Sequence, residues 1–110
     1  MPNVYIPHIA TRFNHETQRV EQVFDFSAAS MHGTPVTILD SNDNPVFLAQ
    51  LTPKIRKALE NFSEDDRLIA VGDPAVIGIC CAIIGRRQRV INMLKWDRKL
   101  QSYTNVEVRP

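Results

Sequence analysis

Two carboxylates and a lysine stand where three short apolar runs end: Asp40 after Val36–Leu39, Asp73 after Leu68–Val71 and Gly72, and Lys95 after Val90–Leu94. If those runs are neighbouring parallel strands, ligands bind outside their carboxyl ends. Gly72, Trp96 and Asp97 then join the same rim. Two carboxylates and a lysine hold a hard cation such as magnesium, or a phosphate through that cation. No cofactor is expected, and magnesium is the one that these residues could take.

Each residue also has a plain structural use. Asp73 before Pro74 is an N-cap and N1 pair. Asp40 opens the turn cluster DSNDNP, and Lys95 suits a solvated strand end. The βα turn has one glycine, so neither G-x-G-x-x-G nor GK[ST] is present. Asp73 at the helix start would repel an incoming phosphate unless a cation lay between them. The placement of Asp and Lys at strand ends is similar to the acidic pocket of response-regulator receiver domains. That similarity is one of architecture, because the adjacent acidic pair on the first strand is missing, and phosphorylation chemistry is not carried over.

A second set is basic and aromatic. Lys95, Trp96, Arg98 and Lys99, with Tyr103 beyond, place an aromatic ring among cations, as single-stranded nucleic acid requires. Arg86, Arg87 and Arg89 fall at a helix end on the opposite rim and do not extend that set. A formal net charge of +1 argues against nucleic acid as the partner. His8, His15 and His32 lie in the first third without ligand spacing. No serine sits in G-x-S-x-G, so a serine hydrolase has no support. Cys80 and Cys81 are adjacent, which disfavours a disulfide between them, and neither has a zinc partner.

The elements that must position these residues follow from periodicity and punctuation. The chain has 110 residues, 44% apolar and 23% charged, which suits one domain of ordinary globular composition. No run reaches the roughly 18 apolar residues of a membrane span, and the N-terminus has no signal-peptide pattern. The expected place is the cytoplasm, with no membrane partner.

Residues 1–34 read as an irregular arm and 35–110 as an α/β core. In the arm, Val4–Ile9 is extended but marked by Pro7 as an edge or non-strand. Arg12–Arg19 reads as a loop and Val20–Phe26 as a strand. Ser27 caps a short helical turn closed by Gly33. In the core, Val36–Leu39 is a β-branched strand. The next helix starts near Val46, or at Thr52 with Pro53 at N1. Its apolar positions Leu48, Leu51, Ile55, Ala58, Leu59 and Phe62 have helical spacing. Ser63–Asp66 is an acidic turn, Leu68–Val71 a strand and Pro74 to about Gly85 a helix. Val90–Leu94 is a third strand, Lys95–Ser102 a hairpin connection and Tyr103–Val108 an antiparallel edge strand.

Strands alternating with helices imply a small Rossmann-like β-α-β-α-β-β domain with a mostly parallel sheet. The alternative is an α+β sandwich with both helices on one face. A strand order of 1-2-3 puts both helices on one face, and 2-1-3 splits them.

The helix from Pro74 has no polar side chain on any face, so every face must be covered. The sheet covers one. Either the arm (Val20, Val23, Phe24, Phe26) or a second copy covers the rest, and Gly78 and Ala82 permit close approach. A homodimer through Val76, Gly78, Ile79, Ala82 and Ile83 is therefore expected.

The run LIAVGDP, with LKWDR, Tyr103 and VEV, resembles small uncharacterised proteins of phage and environmental bacterial genomes. The resemblance covers the last half of the chain and implies a compact α/β domain without naming an activity. The expected function is non-enzymatic binding, through homo-oligomers or a protein partner. The alternatives are a small-ligand or metal/phosphate-binding protein using the carboxyl edge, and a nucleic-acid accessory protein.

Overall fold

A computed structural model describes residues 2–9, 11–22 and 27–109. The elements are β1 (Asn3–His8), β2 (Thr11–Asn14), β3 (Arg19–Gln22), β4 (Thr34–Leu39), α1 (Leu48–Ala58), β5 (Arg67–Ile69), α2 (Pro74–Gly85), β6 (Ile91–Asp97) and β7 (Ser102–Val108). Five strands form one sheet in the order β4-β1-β5-β6-β7, and β2-β3 form a separate hairpin. β4, β1, β5 and β6 are parallel, and β7 is antiparallel to β6. The protein is therefore α/β with a mostly parallel sheet.

The largest departure from the sequence reading is β1. It is neither an edge strand nor irregular. It lies between β4 and β5, and Val4, Tyr5, Ile6 and Pro7 are buried. Proline lacks the N–H a central strand needs, and the register shows how this is met. Pairing of β1 with β5 stops at Tyr5↔Leu68, while pairing with β4 runs on to His8↔Leu39. Pro7 falls where the ladder to β5 has ended.

Both helices lie on one face, as the 1-2-3 order anticipated for the three core strands. Ile55 of α1, Leu59 at its C-terminal cap, and Val76, Cys80 and Ile84 of α2 pack with Tyr5, Leu68 and Ile91 of the sheet. The opposite face is smaller. There Val4, Ile6, Ile69, Leu94 and Tyr103 pack against Ala29 of the 3₁₀ turn Ser27–His32. The 3₁₀ turn that precedes β4 lies on that side, and α1 and α2 lie on the other. Gly33 ends the 3₁₀ turn at φ 154°, where a Cβ would collide with the carbonyl oxygen of Pro2.

Three local readings also change. The polar stretch Arg12–Arg19 is a hairpin, not a loop, and its turn uses the same device as the β6–β7 turn. Asn14 Oδ1 accepts from the N–H groups of Glu16 and Thr17 (2.9 and 3.3 Å), as Asp97 Oδ1 does from Lys99 and Leu100 (2.9 and 3.1 Å). Gln18 and Gln101 close the turns at positive φ, 57° and 51°. Second, of the two expected helix starts the one near Val46 holds and the one at Thr52 does not. Asn44 caps a 3₁₀ turn that begins at Pro45 and runs into α1, leaving Pro53 inside the helix. Third, β6 does not end at Leu94 but continues to Asp97 against β7. Residues 23–26, the end of the expected strand Val20–Phe26, lie outside the described residues, so the arm as a cover for α2 rests on no described contact.

Candidate functional site

The carboxyl edge of the sheet is built by the ends of β1, β4 and β5 and the start of α2. Its charges are engaged locally. Asp40 Oδ1 accepts from the Asn42 N–H (2.9 Å), and the Asp40 N–H donates to Asp43 Oδ2 (3.0 Å). Asp43 Oδ2 also takes Lys54 Nζ at 2.6 Å. The Lys54 ammonium, then the Asp40 N–H, hold the Asp43 carboxyl below its ordinary value, and Lys54 is raised in return. Asp73 Oδ1 accepts from Ala75 and Val76 N–H (2.9 and 3.3 Å), capping α2 as an Asp-Pro pair should.

Asp40, Asp73 and Lys95 therefore do not assemble as one acidic-basic centre. Asp40 follows β4 and Lys95 lies in β6, three strand positions away, or about 14 Å at ordinary strand spacing. Among the described residues no group of three or more His, Cys, Asp and Glu side chains is arranged to hold a metal ion. Lys95, Trp96 and Asp97 extend beyond the end of β5 and pair with Thr104, Tyr103 and Ser102. Trp96 packs edge-on against Tyr103 with ring centroids 5.1 Å apart, and Asp97 caps the hairpin turn.

The residue that sequence reasoning missed here is His8. It ends β1, paired with Leu39 of β4 on one side and beyond the end of the β5 ladder on the other. Gly72, at φ 119°, folds against its backbone, where a Cβ would sit 3.4 Å from the His8 carbonyl oxygen. His8 Nε2 is buried without a hydrogen-bond partner among the described residues. Reading Pro7 as a strand breaker hid it.

The amino edge is different. Here α2 ends, β6 begins and β7 finishes, so that Gly85, Arg86, Arg87, Gln88, Arg89 and Arg109 line one groove of about 560 Å³. Arg87 reaches back to the end of α1, donating to the carbonyl oxygens of Glu60 (2.6 Å) and Leu59. Arg109 Nη2 meets Glu107 Oε2 at 3.1 Å. Arg86 and Arg89 are exposed.

α2 does not present the whole of the expected interface. Val76 is fully buried in the core and cannot meet a partner. Ile79 and Ile83 are partly buried against the same core. Gly78 and Ala82 are exposed, with Ala75 and Gly85 in the same stripe, and a Cβ on Gly78 would meet nothing within 4 Å. Burial pushes the Cys80 thiol up to about 12 and raises Cys81 too, so neither is poised as a thiolate.

These features define a small α/β protein with a mostly parallel five-stranded sheet and no described helix long and apolar enough to cross a membrane. The chain belongs to the Phage Pam3 gp32-like protein family, which it matches over residues 2–110. Searches of curated proteins and of solved structures found no match.

Proposed function

We propose that this phage-family protein works by binding and self-associates through the outer face of α2. One observation supports this most. α2 contains no polar side chain, yet its own fold leaves Ala75, Gly78 and Ala82 exposed, with Ile79 and Ile83 half-covered beside them. A second copy brings the same uncharged stripe. Small residues at positions 78 and 82 let two α2 helices approach closely, and a two-fold axis across them gives a self-complementary contact. The revised interface is Gly78, Ile79, Ala82 and Ile83, without Val76.

The strand order supports the finer fold reading. Taking the parallel strands in chain order gives 2-1-3-4, the order of doubly wound sheets. We read the domain as a Rossmann-like variant in which a hairpin and a 3₁₀ turn replace the first crossover helix. Two free cysteines fit a reducing cytoplasm.

Light scattering tests the association. The chain is expected at twice 12.5 kDa, and Gly78→Leu, which projects into open space in the single chain, is expected to return the monomer without lowering stability. A wild-type chain that stays monomeric at high micromolar concentration sinks the reading. A second reading, small-ligand binding at the carboxyl edge, is favoured by the unpartnered His8 Nε2 beside Gly72. It predicts ligand-induced changes in the His8 ring resonances, which the α2 interface does not.

A further inference from the structure

We propose that the arginine-lined groove at the amino edge of the sheet binds the phosphate backbone of a nucleic-acid strand. Four of its six lining residues are arginine and none is acidic. In a chain of net charge +1 this is a local concentration, not a share of a basic surface. Lys54, Lys57, Lys95 and Lys99 all lie outside it. The choice of guanidinium over ammonium matters, because the planar fork meets phosphate oxygens with two parallel N–H bonds.

The four cations have distinct standing. Arg87 is pinned by two neutral carbonyl acceptors, so its position is fixed and its charge remains. Arg109 has an exposed carboxylate beside it in Glu107, a pairing that water screens and a phosphate can displace. The Arg86 and Arg89 guanidinium groups have no hydrogen-bond or ion-pair partner among the described residues. A cation after a helix C-terminus stabilises the exposed carbonyls there. That explains one or two arginines, but not the convergence of Arg109 from the end of β7. Pairing of Ile91 with Val108 brings it in.

The lining also says what the ligand lacks. No aromatic or large apolar side chain is present to hold a base or an acyl chain. Contacts are confined to phosphates, so recognition is independent of sequence, and several cations in one open groove match successive phosphates along a strand. The hairpin tip with Lys95, Trp96, Arg98 and Lys99 lies at the opposite end of the sheet and is the competing site.

The test is fluorescence anisotropy of a labelled mixed-sequence single strand, and of its duplex, across a salt series. Binding is expected to weaken steeply with salt. Arg86→Ala/Arg89→Ala is expected to weaken it by about tenfold or more and to reduce the slope of log K against log salt by about 1.4 on the single strand, two contacts at about 0.7 each. Arg86→Lys/Arg89→Lys keeps the charges and is expected to keep most of the slope while losing affinity. Lys95→Ala/Lys99→Ala is expected to change neither. Three outcomes overturn the proposal: no binding of either nucleic acid at low salt, loss of binding in the Lys95/Lys99 variant instead, or binding of tripolyphosphate with none of the oligonucleotides. Light scattering on the same variants keeps this separate from self-association.

Discussion

At the carboxyl end of the sheet, Asp40, Asp43 and Asp73 each accept hydrogen bonds from backbone N–H groups two or three residues away. At the amino end, Arg86 and Arg89 border a groove without a described partner. The difference is one of reach. A short carboxylate beside a turn bonds the nearest free N–H groups, and a turn or helix start offers several. A guanidinium carries its donors on a long stem and is not tied to its own turn. It either spans to another element, as Arg87 does to α1, or stays available. The carboxyl rim, where open α/β sheets ordinarily bind ligands, holds its acidic charges in structural bonds, and the amino rim leaves the Arg86 and Arg89 side chains without a bond among the described residues.

Asp66 breaks any simple division of structural from free charge by rim. It lies at the amino end, only 6% exposed, and its Oδ1 accepts from the Asn3 N–H (2.8 Å) while Oδ2 accepts from the Ser63 N–H (2.9 Å). It joins the start of the central strand β1 to the turn after α1. Asp66→Ala strands two backbone donors and is expected to cost about 3 kcal/mol, the largest effect among these charges. Urea denaturation reads it. A loss under about 1 kcal/mol would mean that water replaces the carboxylate, and that engagement, not only location, fails to separate the charges.

The two ends of α2 give a closer contrast. Asp73→Ala removes the cap and is expected to cost about 1 kcal/mol, while Asp73→Asn, which also caps, stays near wild type. Arg86→Ala, twelve residues past Pro74 at the other end, is expected within about 0.5 kcal/mol, as for an exposed side chain without a partner. Equal losses at the two ends, measured by the same denaturation, would remove the distinction and the basis for reading Arg86 as available.

What was legible in the sequence follows the strength of local signals. The β-branched run before Asp40, the Asp73-Pro74 pair and the alternation of Tyr103–Val108 each fix an element, because local chemistry and tertiary role agree. β1 was hidden because Pro7 argues against a central strand, and only the early end of the β5 ladder makes it tolerable. The hairpin Thr11–Gln22 was hidden by its polar residues. Its readable sign was an Asn or Asp followed four residues later by Gln, repeated at Asn14–Gln18 and Asp97–Gln101. Arg86, Arg87 and Arg89 were visible as a cluster, but Arg109 is twenty residues on and enters the groove only through antiparallel pairing.

The finest test of the comparison is the Asp43–Lys54 pair, the one ion pair at the carboxyl edge among the described residues. The folded state lowers Asp43 below 3.8, chiefly through Lys54, so the pair's stabilisation is present above the unfolded value and lost as pH falls through the folded one. Lys54 is raised above 10.5, so its share is present below that value and lost as pH rises through the folded one. Between these limits the contribution is flat, and with the Lys54 side chain half-exposed it is small. The stability difference between wild type and Asp43→Asn is therefore expected to be constant from about pH 5 to about pH 9 and to shrink below about pH 4. A difference that changes between about pH 5 and about pH 9 would instead mean that a group other than the pair carries it. That outcome would make the carboxyl rim a place where charge is free to respond, and would erase the contrast with the arginine groove.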